Sequence, residues 1–284
     1  MTRLPSNILS TPAAHQLQCE LQQSFNTLDL DWGVEVFQSI DSTSSELMRQ
    51  AKLGLLAPKV VIALEQSQGR GRRGRAWISN AKDSLTLSMG LMLDPVNWLG
   101  LSLCVGIDLI QCLDPERKLG LMLKWPNDVW SLREGQYRKV AGILIETVSP
   151  SPTLGSSPTS SRYCILGMGV NLHTPHLHTD LPNPQPIGLS SLGGEVSSVD
   201  IVKHLAKLLP VSLRRFEREG FAPFKSQFDA LNCLQGLDVF LSDGSTGTCQ
   251  GVNDQGELLL KKNGIVHAHH SMEVSVRPFA NNTA

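Results

Sequence analysis

The sequence predicts a mixed α/β domain of about two hundred residues followed by a small all-β unit. Three observations carry this. Apolar runs of strand length, Val60 to Leu64 and Leu85 to Met89, alternate with segments bearing helix-start signals. A Ser/Pro-rich stretch, 149–161, separates two further apolar runs and has the composition of an exposed loop. The last fifty residues change character, with short β-prone pieces set between Gly-containing turns.

Residues 1 to about 30 are polar and Gln-rich, and one helix, Ala13 to Phe25, should lead into the domain. Asp41 and Ser42 precede Thr43-Ser44-Ser45-Glu46, which has the form of a capping box, so a helix of about ten residues should follow. Val60 to Leu64 is β-branched and reads as a buried strand, and Leu85 to Met89 alternates apolar with polar as a second. Pro95 to Leu113 reads as a buried helix. Leu119 to Trp125 reads as a strand stopped by Pro126, which cannot donate to a ladder. Val140 to Val148 and Tyr163 to Leu172 read as two more strands, with 149–161 as a lengthened hairpin connection. A helical region runs from Val199 to Phe228, weakened at Pro210. Five short strands follow at Val239–Leu241, Thr248–Val252, Glu257–Leu260, Ile265–His267 and Val274–Val276, a spacing that suggests a small β-barrel.

Composition narrows the function. The chain has 284 residues, 25 basic and 26 acidic side chains and a net charge of −1, which argues against a globally cationic nucleic-acid binder. Six cysteines lack any CxxC or compact pairing, as expected of reduced thiols in a cytosol. The longest apolar stretch, Trp98 to Leu113, is interrupted by Asp108 and is too short to span a bilayer. A cytoplasmic, globular protein without membrane or signal segment is the expectation.

The sharpest feature is Gly69-Arg70-Gly71-Arg72-Arg73-Gly74-Arg75, directly after the first strand. Glycines let backbone amides approach a ligand closely, and the arginines supply fixed positive charge, so a phosphate or polyphosphate suits the loop. A dinucleotide fingerprint is excluded, because the sequel Ala76-Trp77-Ile78-Ser79-Asn80 runs into a strand and opens no helix. A P-loop fails at Arg75 and Ala76. A solvated basic loop and an Arg-rich nucleic-acid contact remain alternatives. The interleaved glycines with Trp77 weigh against the first, and the missing aromatic interleaving against the second.

Other candidates are modest singly. Ser42 and Thr43 stand where hydroxyls and free amides converge at a helix start, or simply cap it. Lys124-Trp125-Pro126-Asn127-Asp128 puts a lysine and two short polar residues at a strand end, though Pro-Asn-Asp is also ordinary turn chemistry. Lys139 precedes a buried-looking strand in which Gly142 suggests a close approach. Gly167 and Gly169 would leave a flat surface under a ring, with Asn171 able to read a base edge. The groups His173, His176, His178 and His267, His269, His270 lack cysteine or carboxylate partners nearby, and no metal site is expected from them. No G-x-S-x-G elbow and no catalytic cysteine context is present.

In this order and spacing the strings Asp41-Ser42-Thr43, Gly69 to Arg75 with Trp77, Lys124 to Asp128, Lys139 to Glu146 and Gly167 to Asn171 resemble the biotin–protein ligase family. The resemblance runs from about Val34 to Arg277. It implies an α+β fold, a mixed, mainly antiparallel sheet with flanking helices of class II synthetase-like type, plus a small C-terminal SH3-like β-barrel. The implied organisation is a polar extension at 1–30, a ligase domain at 31–232 and the small barrel at 233–284.

The resemblance also implies the chemistry. Biotin would be activated with MgATP to biotinyl-5′-adenylate, then transferred to a lysine of the biotin carboxyl carrier protein of acetyl-CoA carboxylase. Lys139, Arg72 and Asp128 would be catalytic. Ser42, Thr43, Ser44, Gln66, Arg70, Gly71, Arg72, Lys139 and Gly142 would bind biotin. Gly69, Arg73, Arg75, Trp77, Asn127 and Asn171 would bind the nucleotide, with Mg²⁺ held mainly by the nucleotide itself. Ser44 stands where the family usually has Asn. Only about thirty residues precede the ligase region, so the monofunctional type is implied, without a nucleic-acid partner or repressor role, as a monomer or weak homodimer. A lipoate–protein ligase is the nearest rival and lacks the G-R-G-R-R-G string.

Overall fold

The computed structural model describes residues 11–79, 83–150, 160–175, 185–194, 197–270 and 276–278. The elements of the first half are α1 (Pro12–Thr27), β1 (Gly33–Ile40), α2 (Thr43–Lys52), β2 (Lys59–Gln66), β3 (Ser84–Leu93), α3 (Leu101–Leu113), β4 (Leu121–Lys124), β5 (Asp128–Arg133) and β6 (Gln136–Val148). After them come β7 (Arg162–Asn171), α4 (Ser198–Glu219), α5 (Lys225–Leu231), β8 (Asp238–Leu241), β9 (Thr246–Val252), β10 (Leu258–Lys262), β11 (Ile265–His269) and β12 (Val276–Pro278). They form two compact units that interleave along the chain, 1–94 with 141–207 and 95–140 with 208–284.

In the first unit the strands lie in the order β1-β2-β3-β7-β6. β1 and β2 are parallel, and α2 supplies the crossover that a parallel pair needs. The other pairings are antiparallel. α2 buries Leu47 and Ala51 against Phe37, Val61, Tyr163 and Ile165, and this cluster fixes the helix on the sheet. β3 and β7 pair from Ser84 opposite Asn171 to Leu93 opposite Arg162. Side chains alternate along a strand, and residues directly opposite share a face. Leu85, Leu87, Met89, Leu166, Met168 and Val170 therefore point to one face. Ser84, Thr86, Ser88, Gly167, Gly169 and Asn171 point to the other.

In the second unit β6, β5 and β4 are neighbours in that order, and β4 pairs antiparallel with β5. Gly100, at φ 79°, opens α3. A methyl group there would lie 2.6 Å from the Phe221 ring, so both the backbone and the packing require glycine. Trp125 is fully buried, and its Nε1 donates to Gly256 O at 3.0 Å. The C-terminal strands form a small five-stranded sheet in the order β11-β10-β9-β8-β12, antiparallel throughout.

Several expectations need correction. β1 and β5 were absent from the expected strands, and β5 begins within the stretch read as a turn. The buried helix starts at Leu101 rather than Pro95, after a turn in which Asn97 accepts from the Leu99 amide at 2.9 Å. The helical region 199–228 is two helices, because Gly220 turns left-handed (φ 66°) after α4. Pro210 sits inside α4 without ending it. The cap of α2 is one residue earlier than the capping box implied: Ser42, not Thr43, accepts from the Ser45 amide. The last strand is Val276–Pro278, while 271–275, which include most of the expected one, lie outside the described residues.

One buried acid has a measurable consequence. Asp108 in α3 accepts from Ser212 Oγ at 3.0 Å through Oδ1, and its Oδ2 is buried without a hydrogen bond. Burial pushes its carboxyl up to about 6 from the ordinary 3.8, against the Ser212 bond, which lowers it. Between those values the native state binds more protons than the unfolded chain. Its contribution to stability is therefore greatest below the unfolded value and is lost as pH rises through about 6. Asp108→Asn should gain on the wild type between pH 5 and 8 by on the order of 2 kcal/mol, or roughly 5 °C in Tm. Thermal unfolding across that range checks this, and a constant gap between the two proteins would count against it.

Candidate active site

The site begins as bare backbone. On one face of the first unit's sheet, Gly169 of β7 lies directly opposite Gly142 of β6 and Thr86 of β3. A methyl group on Gly169 would lie 2.3 Å from the Trp77 indole, so the ring rests directly on this strip. Two residues along, Gly167 faces Ser44, whose Oγ would lie 2.6 Å from an added methyl. Asn171 ends the strip, buried and opposite Ser84.

The N-terminus of α2 supplies a cluster of hydroxyls above Gly167. Ser42, Thr43 and Ser44 are all buried. Gln66, at the end of β2, accepts from the Thr43 amide at 2.8 Å and from Thr43 Oγ1 at 3.3 Å through Oε1. Ser88 of β3, fully buried, reaches Thr43 Oγ1 at 2.7 Å and Ser44 Oγ at 2.9 Å. Ser44 thus turns toward β3. Ser88 is absent from the expected site residues, because a serine alternating with leucines looks like any polar position of a half-buried strand.

The Gly–Arg loop leaves β2 and returns to Trp77 as a narrow hairpin. Trp77 N donates to Gly69 O at 2.9 Å, Arg70 bridges Ala76, and Gly71 N donates to Arg75 O at 2.7 Å. Gly69 has no room for a side chain, since a methyl would lie 2.3 Å from Trp77 O. At the tip, Arg73 adopts a left-handed conformation (φ 59°, ψ 36°), which costs an arginine energy and reverses the chain sharply. Arg73 and Arg75 are exposed and Arg72 is half-buried. Arg70 is tied to Glu146 of β6 by Nη2 to Oε2 at 2.6 Å.

The second unit carries the other expected residues. Asp128, at the start of β5, accepts from Lys139 Nζ at 2.7 Å through Oδ1 and lies 3.9 Å from Lys124 Nζ through Oδ2. Lys124 is buried, with its ammonium 5.3 Å above the Trp130 ring. One carboxylate thus serves two cations. Asn127, half-buried, lies in the turn between β4 and β5. Lys124 is absent from the expected site residues, because its burial is a tertiary fact that no local pattern encodes.

Among the described residues no group of three His, Cys, Asp or Glu side chains could hold a metal ion, and His176 and His178 lie outside them. His173 Nδ1 meets Ser190 Oγ at 2.9 Å, and His270 pairs with Glu257. The six cysteines are free thiols, and burial pushes those of Cys112 and Cys233 up to about 12, which leaves no thiolate nucleophile there. No helix of the described residues is long and apolar enough to cross a membrane.

A hydroxyl cluster, a glycine floor beneath an indole and an arginine-bearing loop thus share one mainly antiparallel sheet, and the comparisons place the chain that carries them among the ligases. The model of the Biotin/lipoate A/B protein ligase family matches residues 36–157. The chain is 34% identical over 258 residues to the Bifunctional ligase/repressor BirA of Escherichia coli (strain K12), spanning 87% of this chain and 75% of that one. It is 32% identical over 236 residues to the biotin--[acetyl-CoA-carboxylase] ligase of Paracoccus denitrificans, spanning 78% and 91%. The chain belongs to the biotin/lipoate A/B protein ligase family. Its fold is that of the biotin protein ligase from Aquifex aeolicus in complex with biotin and ATP, with a TM-score of 0.68 at 24% identity, covering 86% of this chain and 98% of that one.

Proposed function

We propose that the chain is a biotin–[acetyl-CoA carboxylase] ligase, which activates biotin with ATP to biotinyl-5′-AMP and passes the biotinyl group to a carrier lysine. The observation that carries this reading is the glycine strip of Gly167 and Gly169 under Ser44 and Trp77, beside the hydroxyl cluster of Thr43, Ser44 and Ser88. The strip leaves flat backbone, and the cluster offers several oxygens to a small polar head.

In the first step the biotin carboxylate attacks the α-phosphorus, and the bond to pyrophosphate breaks. Two anions must meet, so a fixed cation at the reacting oxygens lowers the barrier. Lys139 fills that role, with Asp128 orienting its ammonium through the 2.7 Å bond. In the second step the carrier lysine amine attacks the acyl carbon, AMP departs with the bonding pair, and the amine loses a proton. Ser42, Thr43, Ser44 and Gln66 hold the biotin head, while Arg70, Gly71, Arg72 and Gly142 flank its tail. Gly69, Arg73, Arg75, Trp77, Asn127 and Asn171 serve the nucleotide. The hairpin of 69–77 covers the mixed anhydride and keeps water from it.

Mg²⁺ fits as an ion carried by the triphosphate. Asp128 already balances two lysines, so the protein offers one shared carboxylate beside Asn127 rather than a cage. Mg²⁺ supplies charge neutralisation on the phosphates when bound. We further read 31–232 as the ligase domain and 233–284 as an SH3-like barrel, the protein as a cytoplasmic monomer or weak homodimer, and the carrier protein as its macromolecular partner. Free buried cysteines support the reducing compartment.

Purified protein should release pyrophosphate from MgATP with biotin and not without it. Release with lipoate alone would transfer the assignment to the sister activity.

A further inference from the structure

We propose that Ser88 is a positioning residue that keeps Thr43 and Ser44 as acceptors for ligand N–H groups, an inference that rests on reading the Thr43 cluster as the biotin head site. Ser88 is fully buried in β3 and sits between two hydroxyls of α2. It touches the ligand only through them.

Counting protons fixes the direction of the chain. Four oxygens stand in line: Ser44 Oγ, Ser88 Oγ, Thr43 Oγ1 and Gln66 Oε1, with separations of 2.9, 2.7 and 3.3 Å. The Thr43 amide donates to Gln66 Oε1 at 2.8 Å, so this end of the Gln66 side chain is its carbonyl oxygen and carries no proton. The three hydroxyls hold one proton each, and there are three contacts to fill. Only one arrangement puts a proton in every contact. Thr43 donates to Gln66, Ser88 donates to Thr43, and Ser44 donates to Ser88. Any other leaves two lone pairs facing each other inside the protein, which is costly.

The consequence is chemical. Every hydroxyl proton of the cluster is spent inward, so Thr43 and Ser44 turn only lone pairs toward a ligand. The head of biotin is a cyclic urea with two N–H donors and one carbonyl acceptor, so Thr43 and Ser44 suit its N–H groups and repel its oxygen, which fixes the orientation of the ring. Ser88 is what holds this polarity. Without it the Ser44 proton has no inward acceptor, and Thr43 is freed to rotate. Gly167 is part of the device, because a methyl group there would lie 2.6 Å from Ser44 Oγ and force it to move.

The test is Ser88→Ala, with Ser88→Cys as the volume-matched companion should the alanine variant fold poorly. The expected result is a rise of roughly tenfold in the biotin KM of pyrophosphate release, on the scale of one lost hydrogen bond. The kcat at saturating biotin and the KM for ATP should stay within twofold of the wild type. The second readout is discrimination against biotin methylated on a ureido nitrogen, which should fall by a similar factor. An unchanged biotin KM, or equal losses for biotin and its methylated analogue, overturns the proposal. A wild-type enzyme without biotin-dependent release would instead sink the underlying assignment.

Discussion

Lys139→Ala is expected to lower biotin-dependent pyrophosphate release by at least about 10²–10³-fold, the usual effect of deleting a preorganised charge from a reaction that develops negative charge. The loss should fall on kcat, because the cation is needed most when carboxylate and phosphate approach. The fold should survive. Asp128 keeps Lys124, 3.9 Å from its other oxygen, so no carboxylate is stranded, and Lys139 itself is only partly buried. Circular dichroism and thermal unfolding separate this outcome from misfolding. Turnover within tenfold of the wild type would remove Lys139 from the mechanism. Arginine at this position should rescue poorly, since a planar fork cannot reproduce a point charge held by one 2.7 Å bond.

Gly169→Ala should expel Trp77. The added methyl would lie 2.3 Å from the indole, and Gly169 is hydrogen-bonded into the middle of β7 between β3 and β6, so its backbone cannot retreat. The ring must give way, at about 1–3 kcal/mol of overpacking. The KM for ATP should rise roughly tenfold or more, as expected when a stacking or packing partner worth about 1–3 kcal/mol is lost. Biotin binding should change little, because Thr43, Ser44 and Ser88 cluster over Gly167, two residues away. Adding Trp77→Ala should return the melting temperature toward the wild type without restoring ATP binding. Isothermal titration with each substrate and a thermal melt of the single and double variants decide it. A Gly169→Ala protein with normal ATP affinity would mean the indole has no part in the nucleotide site.

Much of this was legible in the residues, and the limits have physical causes. The Gly–Arg string, the paired glycines of β7 and Lys139 stand out because a strand rarely tolerates two glycines without a reason, and a loop rarely concentrates arginines among glycines. The apolar face of β3 and β7 was readable because strand alternation is local. β1 was not, because its partner is the parallel β2 across a helix, and parallel pairing leaves no turn signature in between. β5 was masked because it begins on the Asp of Pro-Asn-Asp, whose turn chemistry is real but shorter than expected. Ser88 and Lys124 escaped for another reason: their roles depend on oxygens and rings brought from far along the chain. The cap of α2 differed by one residue because Ser42 and Thr43 are equally good caps, and the bond from Thr43 to Ser88 decides between them.

The pairing of β3 with β7 also bears on how the protein is made. Residues 94–161 lie between the two strands, so a ribosome finishes β3 well before it begins β7. At ordinary elongation speeds that interval lasts on the order of 3–14 s. Throughout it β3 can zip to β2 along one side while its other edge, the one that β7 will occupy, stays open. That edge carries Leu85, Leu87 and Met89 alternating with serines and a threonine, the kind of strand that recruits stray partners. The polar half of that alternation, Ser84, Thr86 and Ser88, faces the side on which Ser88 later meets Thr43 and Ser44, so that meeting and the closing of the edge belong to the same late stage.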